Sequence, residues 1–202
     1  KKWIEELKKN PCIQNNYKEN DLSKFLFKLN SQNRSLIPIM ESMGFSKNSL
    51  EDFKLTTGSN GASKQLDEFK LRLPYYGERR NFPSQKGVSY LSVHFRFGTI
   101  SIRKALISAF ELIENFNHSE ERQKNIETWI SELIWREFYM QILYNFPHVS
   151  SGCFKKEYDC IEWDNNEELF NKWTEGNTGF PIVDAGMRQL NKTGYMHNRL
   201  RM

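Results

Sequence analysis

Apolar positions along this chain recur mostly every three or four residues, and the breaks fall at proline and glycine. That spacing predicts helices. In "DLSKFLFKLN", Leu22, Phe25, Leu26 and Leu29 share a helical face. "SLIPIMESMGF" is broken by Pro38 and closed by Gly44. "TTGSNGASKQLDEFK" opens on turn formers and then resumes a helical pattern. "QLDEFKLRLPYYGERRNFP" starts a helix and continues as a loop punctuated by proline and glycine. A helix is predicted from about Ile102 to Phe116, facing inward with Ala105, Leu106, Ala109, Phe110 and Ile113, and with Ser101 as N-cap. "NIETWISELIWREFYMQILYNFP" is apolar nearly all round, which predicts a buried helix ended by Pro147. A further helix runs from Pro181 at its first position to Gly194 just past its end. There is no β-alternation, internal repeat or low-complexity tract, so the expected fold class is all-α.

Composition changes that picture little. Of 202 residues, 38% are hydrophobic and 14% aromatic, which suggests a core built on a few large rings. The mean hydropathy is −0.70, and no stretch approaches the roughly 20 apolar residues a bilayer demands. The opening "KKWIEELKKN" has no apolar core of a secretory signal. It has no initiating methionine either, so a fragment is expected. The net charge of +4 is compatible with a polyanionic partner. Cys12, Cys153 and Cys160 form no zinc pattern with any histidine. Reduced thiols and no metal site are expected.

Four stretches carry candidate chemistry. On the densest helix, Glu132, Trp135, Arg136 and Tyr139 share a face, with Trp129 one turn before. A carboxylate on so apolar a helix needs a partner. It can be an internal Glu132–Arg136 ion pair, or a group that meets a ligand between two indoles, where a stacked base contributes roughly 1–3 kcal/mol. In "KGVSYLSVHF", Gly87 lets the backbone approach closely, and Ser89 and Ser92 stand where a helix can begin. They are ordinary N-caps or an anion site. "YYGERRNFP" joins two tyrosines to Arg79 and Arg80, either as a solvated loop or as a phosphate contact. In "GYMHNRLRM", a helical turn would bring Asn198 and Met202 to one face, with Arg201 beside them and Arg199 pointing elsewhere. That is a basic helix end, or a surface in which methionine adapts to a flat ligand.

Five motifs, "PYYGERRNFP", "GVSYLSVHFRFGTIS", "SELIWREFY", "WTEGNTGFPIVDAGMRQL" and "GYMHNRLRM", stand in the order and spacing of one family. The chain resembles the DNA photolyase/cryptochrome family over roughly residues 66–202. The resemblance implies an interdomain connector over 1–65. It implies the first half of a helical FAD-binding domain over 66–202, truncated at its C-terminal side. Tyr76 would lie against the flavin, and Val88, Ser89, Tyr90, Leu91 and Ser92 would cradle the FAD phosphates. Val88 departs from the usual threonine and loses one hydroxyl. Trp129 would border the flavin pocket. Glu132 and Trp135 resemble the pair that meets a flipped-out pyrimidine dimer, by hydrogen bond and by stacking. Asn198 and Arg199 match a DNA-contacting pair, and Met202 a methionine packed on the dimer. Arg80 and Tyr139 fall on the DNA side, and Arg136 is DNA-facing or structural. Arg201 resembles an arginine that reaches an acidic partner near the flavin. Trp163, ten residues before Trp173, resembles the surface tryptophan that ends an electron-transfer chain. Tyr195 stands for the usual tryptophan.

The implied activity is light-driven repair of cyclobutane pyrimidine dimers by electron transfer from reduced FAD, on UV-damaged DNA. Asn198, Trp135 and "TGFPIVDAGMRQL" favour the class I repair form over a cryptochrome-type photoreceptor. A non-catalytic helical nucleic-acid-binding domain would explain the charge, but not Glu132 among indoles. An antenna chromophore of folate or deazaflavin type would sit in a separate N-terminal domain. A monomer in the bacterial cytoplasm or nucleoid is implied for a prokaryotic source, with no membrane partner. The isolated fragment is expected to hold no flavin.

Overall fold

A computed structural model describes residues 2–11, 39–44 and 55–202, and every regular element among them is helical. The pattern at Leu22–Leu29, together with Pro38 and Cys12, lies outside the described residues. The helices are α1 (Lys2–Lys9), α2 (Gly58–Lys70), α3 (Tyr76–Arg79), α4 (Ser92–Arg96) and α5 (Ile102–Asn115). They continue as α6 (Glu120–Asn145), α7 (Glu167–Glu175), α8 (Pro181–Thr193) and α9 (Asn198–Arg201).

The core is where α2, α5 and the first half of α6 meet. Phe69, Leu73, Leu91, Ile126 and Ile130 are fully enclosed there, with Ala105 and Ala109 letting α5 approach α6 closely. Ser101 caps α5 by accepting from the Arg103 N–H at 3.2 Å. Gly194 ends α8 in the left-handed region at φ 68°, which a glycine adopts without penalty. Asp184, one turn into α8, accepts from the Thr178 N–H at 2.8 Å, the Thr178 hydroxyl at 2.6 Å and the Gly179 N–H at 3.1 Å. These bonds hold its carboxyl below the usual range, and they explain why "TGFPIVD" reads as one unit.

The packing shows two things that the residue pattern did not. The boundary at 65/66 falls inside α2, which starts at Gly58 and buries Gly61 and Ala62 in the core. Gly61 sits where the chain packs tightly: a Cβ there would meet the Thr56 carbonyl. Moreover, Ile4 and Leu7 of α1 pack on the same core. Second, α6 is not buried along its length. Ile126, Trp129, Ile130 and Leu133 are enclosed, but Phe138, Tyr139, Met140, Leu143 and Tyr144 are exposed. Hydrophobicity says which faces seek cover, and no described element covers this half.

Behind α3, Tyr75 is flanked by the guanidiniums of Arg79 and Arg122, at 4.7 and 4.1 Å from its ring. Arg122 pairs with Glu78 at 2.7 Å. Asn125 of α6 donates to both the Pro74 carbonyl and Glu78 at 2.9 Å. A Cβ on Gly77 would strike Asn125. This lattice fixes α3 on α6 and thereby sets where Tyr76 and Arg80 point.

Candidate functional site

One cavity of about 590 Å³ gathers side chains from four separated stretches of sequence. Tyr76 and Arg80 come from α3 and its end. Val88 and Ser89 come from the loop before α4, Ser92 from the first position of α4, and Trp129, Glu132 and Arg136 from α6. Asn198, Arg199 and Arg201 come from α9. Five guanidiniums therefore face one carboxylate across the lining, since Arg96 also contributes. Such a surface attracts anions.

The internal Glu132–Arg136 pair does not form. Glu132 instead accepts from Arg80 Nη1 at 2.6 Å, across 52 residues of sequence. Both side chains are only part-buried, so the pair is worth little as stability and more as placement. The Arg80 guanidinium also lies 5.3 Å from the Tyr76 ring. Tyr76 is buried and edge-on to Phe69, with ring centroids 6.1 Å apart. Burial pushes its hydroxyl up to about 12; Glu132 adds to this, and Arg80 and Arg199 oppose it.

The two indoles of α6 do not form one platform. Trp129 is 3% exposed and tilts on Phe69 at 5.1 Å, while Trp135 is 52% exposed. Six positions of helix turn the side chain by about 240° from one face to the other. Trp135 stacks on Tyr139 at 6.0 Å, with Phe138 edge-on to both. Trp135 and Tyr139 stand outside the cavity lining.

The loop from Val88 to Ser92 is neither a plain serine cap nor a bare turn. Ser92 is already the first residue of α4, so it does not cap the helix. The Ser89 hydroxyl accepts from the Leu91 N–H at 3.3 Å, and the Ser89 carbonyl accepts from Gln65 Nε2 at 2.8 Å. Tyr90 takes φ 57°, a strained value for a bulky residue, and lays its ring 5.1 Å from that of Tyr195. Leu91 is fully enclosed in the core and does not line the cavity.

On α9, Asn198 Nδ2 lies 3.6 Å from Met202 Sδ, so those two do meet, although Met202 is 85% exposed and outside the lining. Arg199 does not point away: its Nε donates to Asn81 Oδ1 at 2.9 Å. His197 is buried, and its Nδ1 accepts from the Arg199 N–H at 3.2 Å. Burial lowers the His197 pKa, and Arg199 and Arg201 lower it further. The Arg80 carbonyl opposes this from nearby, but Nε2 lacks a partner with hydrogen-bond geometry. Trp163 is 74% exposed on the loop before α7, apart from the cavity. Cys153 and Cys160 are free and exposed. No group of metal-ligating residues and no helix fit to cross a membrane occurs among the described residues.

Phe95, Arg96, Leu133, Met140 and Leu143 also line the cavity, and the residue pattern did not mark them as site residues. The spacing offers a signal for some of them. Arg96 is four positions after Ser92, and Met140 and Leu143 are four and seven after Arg136, on the same helix faces.

A family model described as the FAD binding domain of DNA photolyase matches residues 129–202. A deoxyribodipyrimidine photo-lyase of Neurospora crassa is 46% identical over 147 residues, covering 72% of this chain and 24% of that protein. A protein of the same name from Synechococcus is 40% identical over 166 residues, covering 82% and 34%. The crystal structure of a class III photolyase from Agrobacterium tumefaciens superposes with TM-score 0.73 at 35% identity, covering 81% of this chain and 34% of that one. A Synechocystis cryptochrome superposes with TM-score 0.63 at 26% identity, covering 74% and 31%. The chain thus spans about a quarter to a third of the length of these relatives. Shared motifs, an all-helical fold and matches on both sequence and structure assign the chain to the DNA photolyase/cryptochrome family.

Proposed function

We propose that this chain forms the cofactor cradle and lesion face of a deoxyribodipyrimidine photo-lyase, a light-driven enzyme that splits cyclobutane pyrimidine dimers in DNA. The observation that carries this reading is the cavity whose lining brings together five arginines, Glu132, Tyr76 and Trp129. The names of the relatives support it. The donor set suits FAD: the Ser89 and Ser92 hydroxyls and nearby arginines suit a pyrophosphate, and the two rings suit a flat heterocycle. The chemistry that bound, reduced FAD supplies is an electron lent to the dimer and recovered once the ring has opened.

The protein's own residues bind and orient. Arg80 and Arg199 meet the strand phosphates. Glu132 accepts a hydrogen bond from the dimer, and Asn198 and Met202 close on its edge. Trp135, exposed and backed by Tyr139, offers a stacking face to the flipped-out lesion. Flipping costs a few kcal/mol and least for damaged bases, which favours the lesion over intact DNA. Trp163, at the surface, suits the outer end of an electron path. The same reading assigns an antenna chromophore of folate or deazaflavin type to a domain outside these residues. It describes a monomer of the class I form.

The test is direct. The whole protein, reduced and lit with blue light, restores a dimer-bearing oligonucleotide to its pyrimidines, as read by chromatography. Dimers that persist on a flavin-loaded, illuminated protein would replace this reading with a photoreceptor.

A further inference from the structure

We infer that Asn81 is a positioning residue for DNA binding, which holds the Arg199 guanidinium on the strand-facing side without neutralising it. This rests on the reading of Arg199 as a phosphate contact.

Arg199 donates through Nε to Asn81 Oδ1 at 2.9 Å, joining parts of the chain 118 residues apart. Arginine only donates, so the amide must present its oxygen. A second guanidinium nitrogen, Nη1, lies 3.8 Å from Met202 Sδ, a weak acceptor. Among the described residues Arg199 forms no ion pair with a carboxylate, and it lies exposed. Arg80, the residue before Asn81, is treated in the opposite way: it is tied to Glu132 at 2.6 Å. Two guanidiniums thus flank one turn of chain, one compensated by a carboxylate and one held by a neutral amide.

The difference matters for a polyanion. A carboxylate at position 81 would hold the guanidinium equally well but offset the charge that a phosphate recognises, as Glu132 partly offsets that of Arg80. An alanine would leave the charge intact but unheld. An amide does both jobs, which is why the residue type, and not only its reach, belongs to the proposal.

The experiment measures binding of dimer-bearing duplex DNA across a salt series, using the whole, flavin-loaded protein. Arg199→Ala is expected to weaken binding and flatten the slope of log affinity against log salt by about 0.9, the loss of one phosphate contact. Asn81→Ala should weaken binding about fivefold, as for a lost hydrogen bond to a charged group near the surface, with the slope kept. Asn81→Asp should flatten the slope by nearly as much as Arg199→Ala. Asn81→Ala added to Arg199→Ala should cost nothing more, because the two act as one unit. Flavin content and thermal midpoint are read alongside, since a purely structural role would move those and leave the slope alone.

Asn81→Ala binding like wild type, or additive losses in the double variant, overturns the inference while the reading of Arg199 stands. Arg199→Ala binding like wild type overturns both.

Discussion

Tyr76 shows how much one residue can integrate. It is placed by a tight turn after Pro74, walled by Phe69, and faced by the Arg80–Glu132 pair. Burial dominates its chemistry and raises its hydroxyl to about 12, as it does for Tyr195 beside Tyr90. An unfolded tyrosine loses its proton near pH 10. Between about 10 and about 12 the folded chain therefore binds more protons than the unfolded one, so stability falls as pH rises through that window and is flat below it. Burial raises Tyr90 as well, so alkaline titration followed by phenolate absorbance should show Tyr76, Tyr90 and Tyr195 ionising late. Their ionisation near 10 in the still-folded protein would refute the enclosure of Tyr76. Glu132 makes a related point: its partner is chosen by the fold, since Arg80 reaches it from another element while Arg136, one turn away, does not.

Among the elements, the loop into α4 is the one whose shape matters most. Its entry is governed by Gly87, which is buried against the backbone of Arg79. A Cβ there would stand 2.5 Å from the Arg79 carbonyl oxygen, and backbone cannot swing aside as a flexible side chain can. Gly87→Ala should therefore cost about 1–3 kcal/mol, the range for overpacking. It should also displace Ser89, lowering flavin retention together with the thermal midpoint. Unchanged retention and melting would mean that the loop does not depend on this close approach. The strained Tyr90 backbone is held from both sides, by the Gln65 bond to Ser89 and by the Tyr195 ring, so the loop is anchored before any ligand arrives.

At the scale of the whole molecule, the site depends on the core beneath it. Trp129 and Glu132 enter the cavity from the same helix that buries Ile126 and Ile130. Ile130 is fully enclosed, and Ile130→Ala should lose about 2–5 kcal/mol through the removed surface and the void left behind. Denaturant unfolding would measure it, and a loss under 1 kcal/mol would mean that the core collapses freely around the gap. The arginine-rich lining is likewise a property of assembly: no stretch contributes more than two of its five arginines, and the cluster appears when four stretches converge.

Local rules were legible in the residues themselves. Helical spacing, Ser101 as a cap, Pro147 and Pro181 as stop and start, and Gly194 as a terminator each rest on backbone chemistry within a few positions. The family was legible too, because its motifs are contiguous strings. What lay beyond the sequence was every choice made across distance. Charge pattern alone offered Glu132 an arginine four residues away, and tertiary packing gave it one 52 residues away. Hydrophobicity marked α6 as apolar throughout, and only the arrangement of α2, α3 and α5 decided which half is enclosed. The Asn81–Arg199 bond spans 118 residues and leaves no trace in either local pattern. Contacts of that kind form only when elements meet, so the sequence determined the pieces and the tertiary structure decided which side chains face one another.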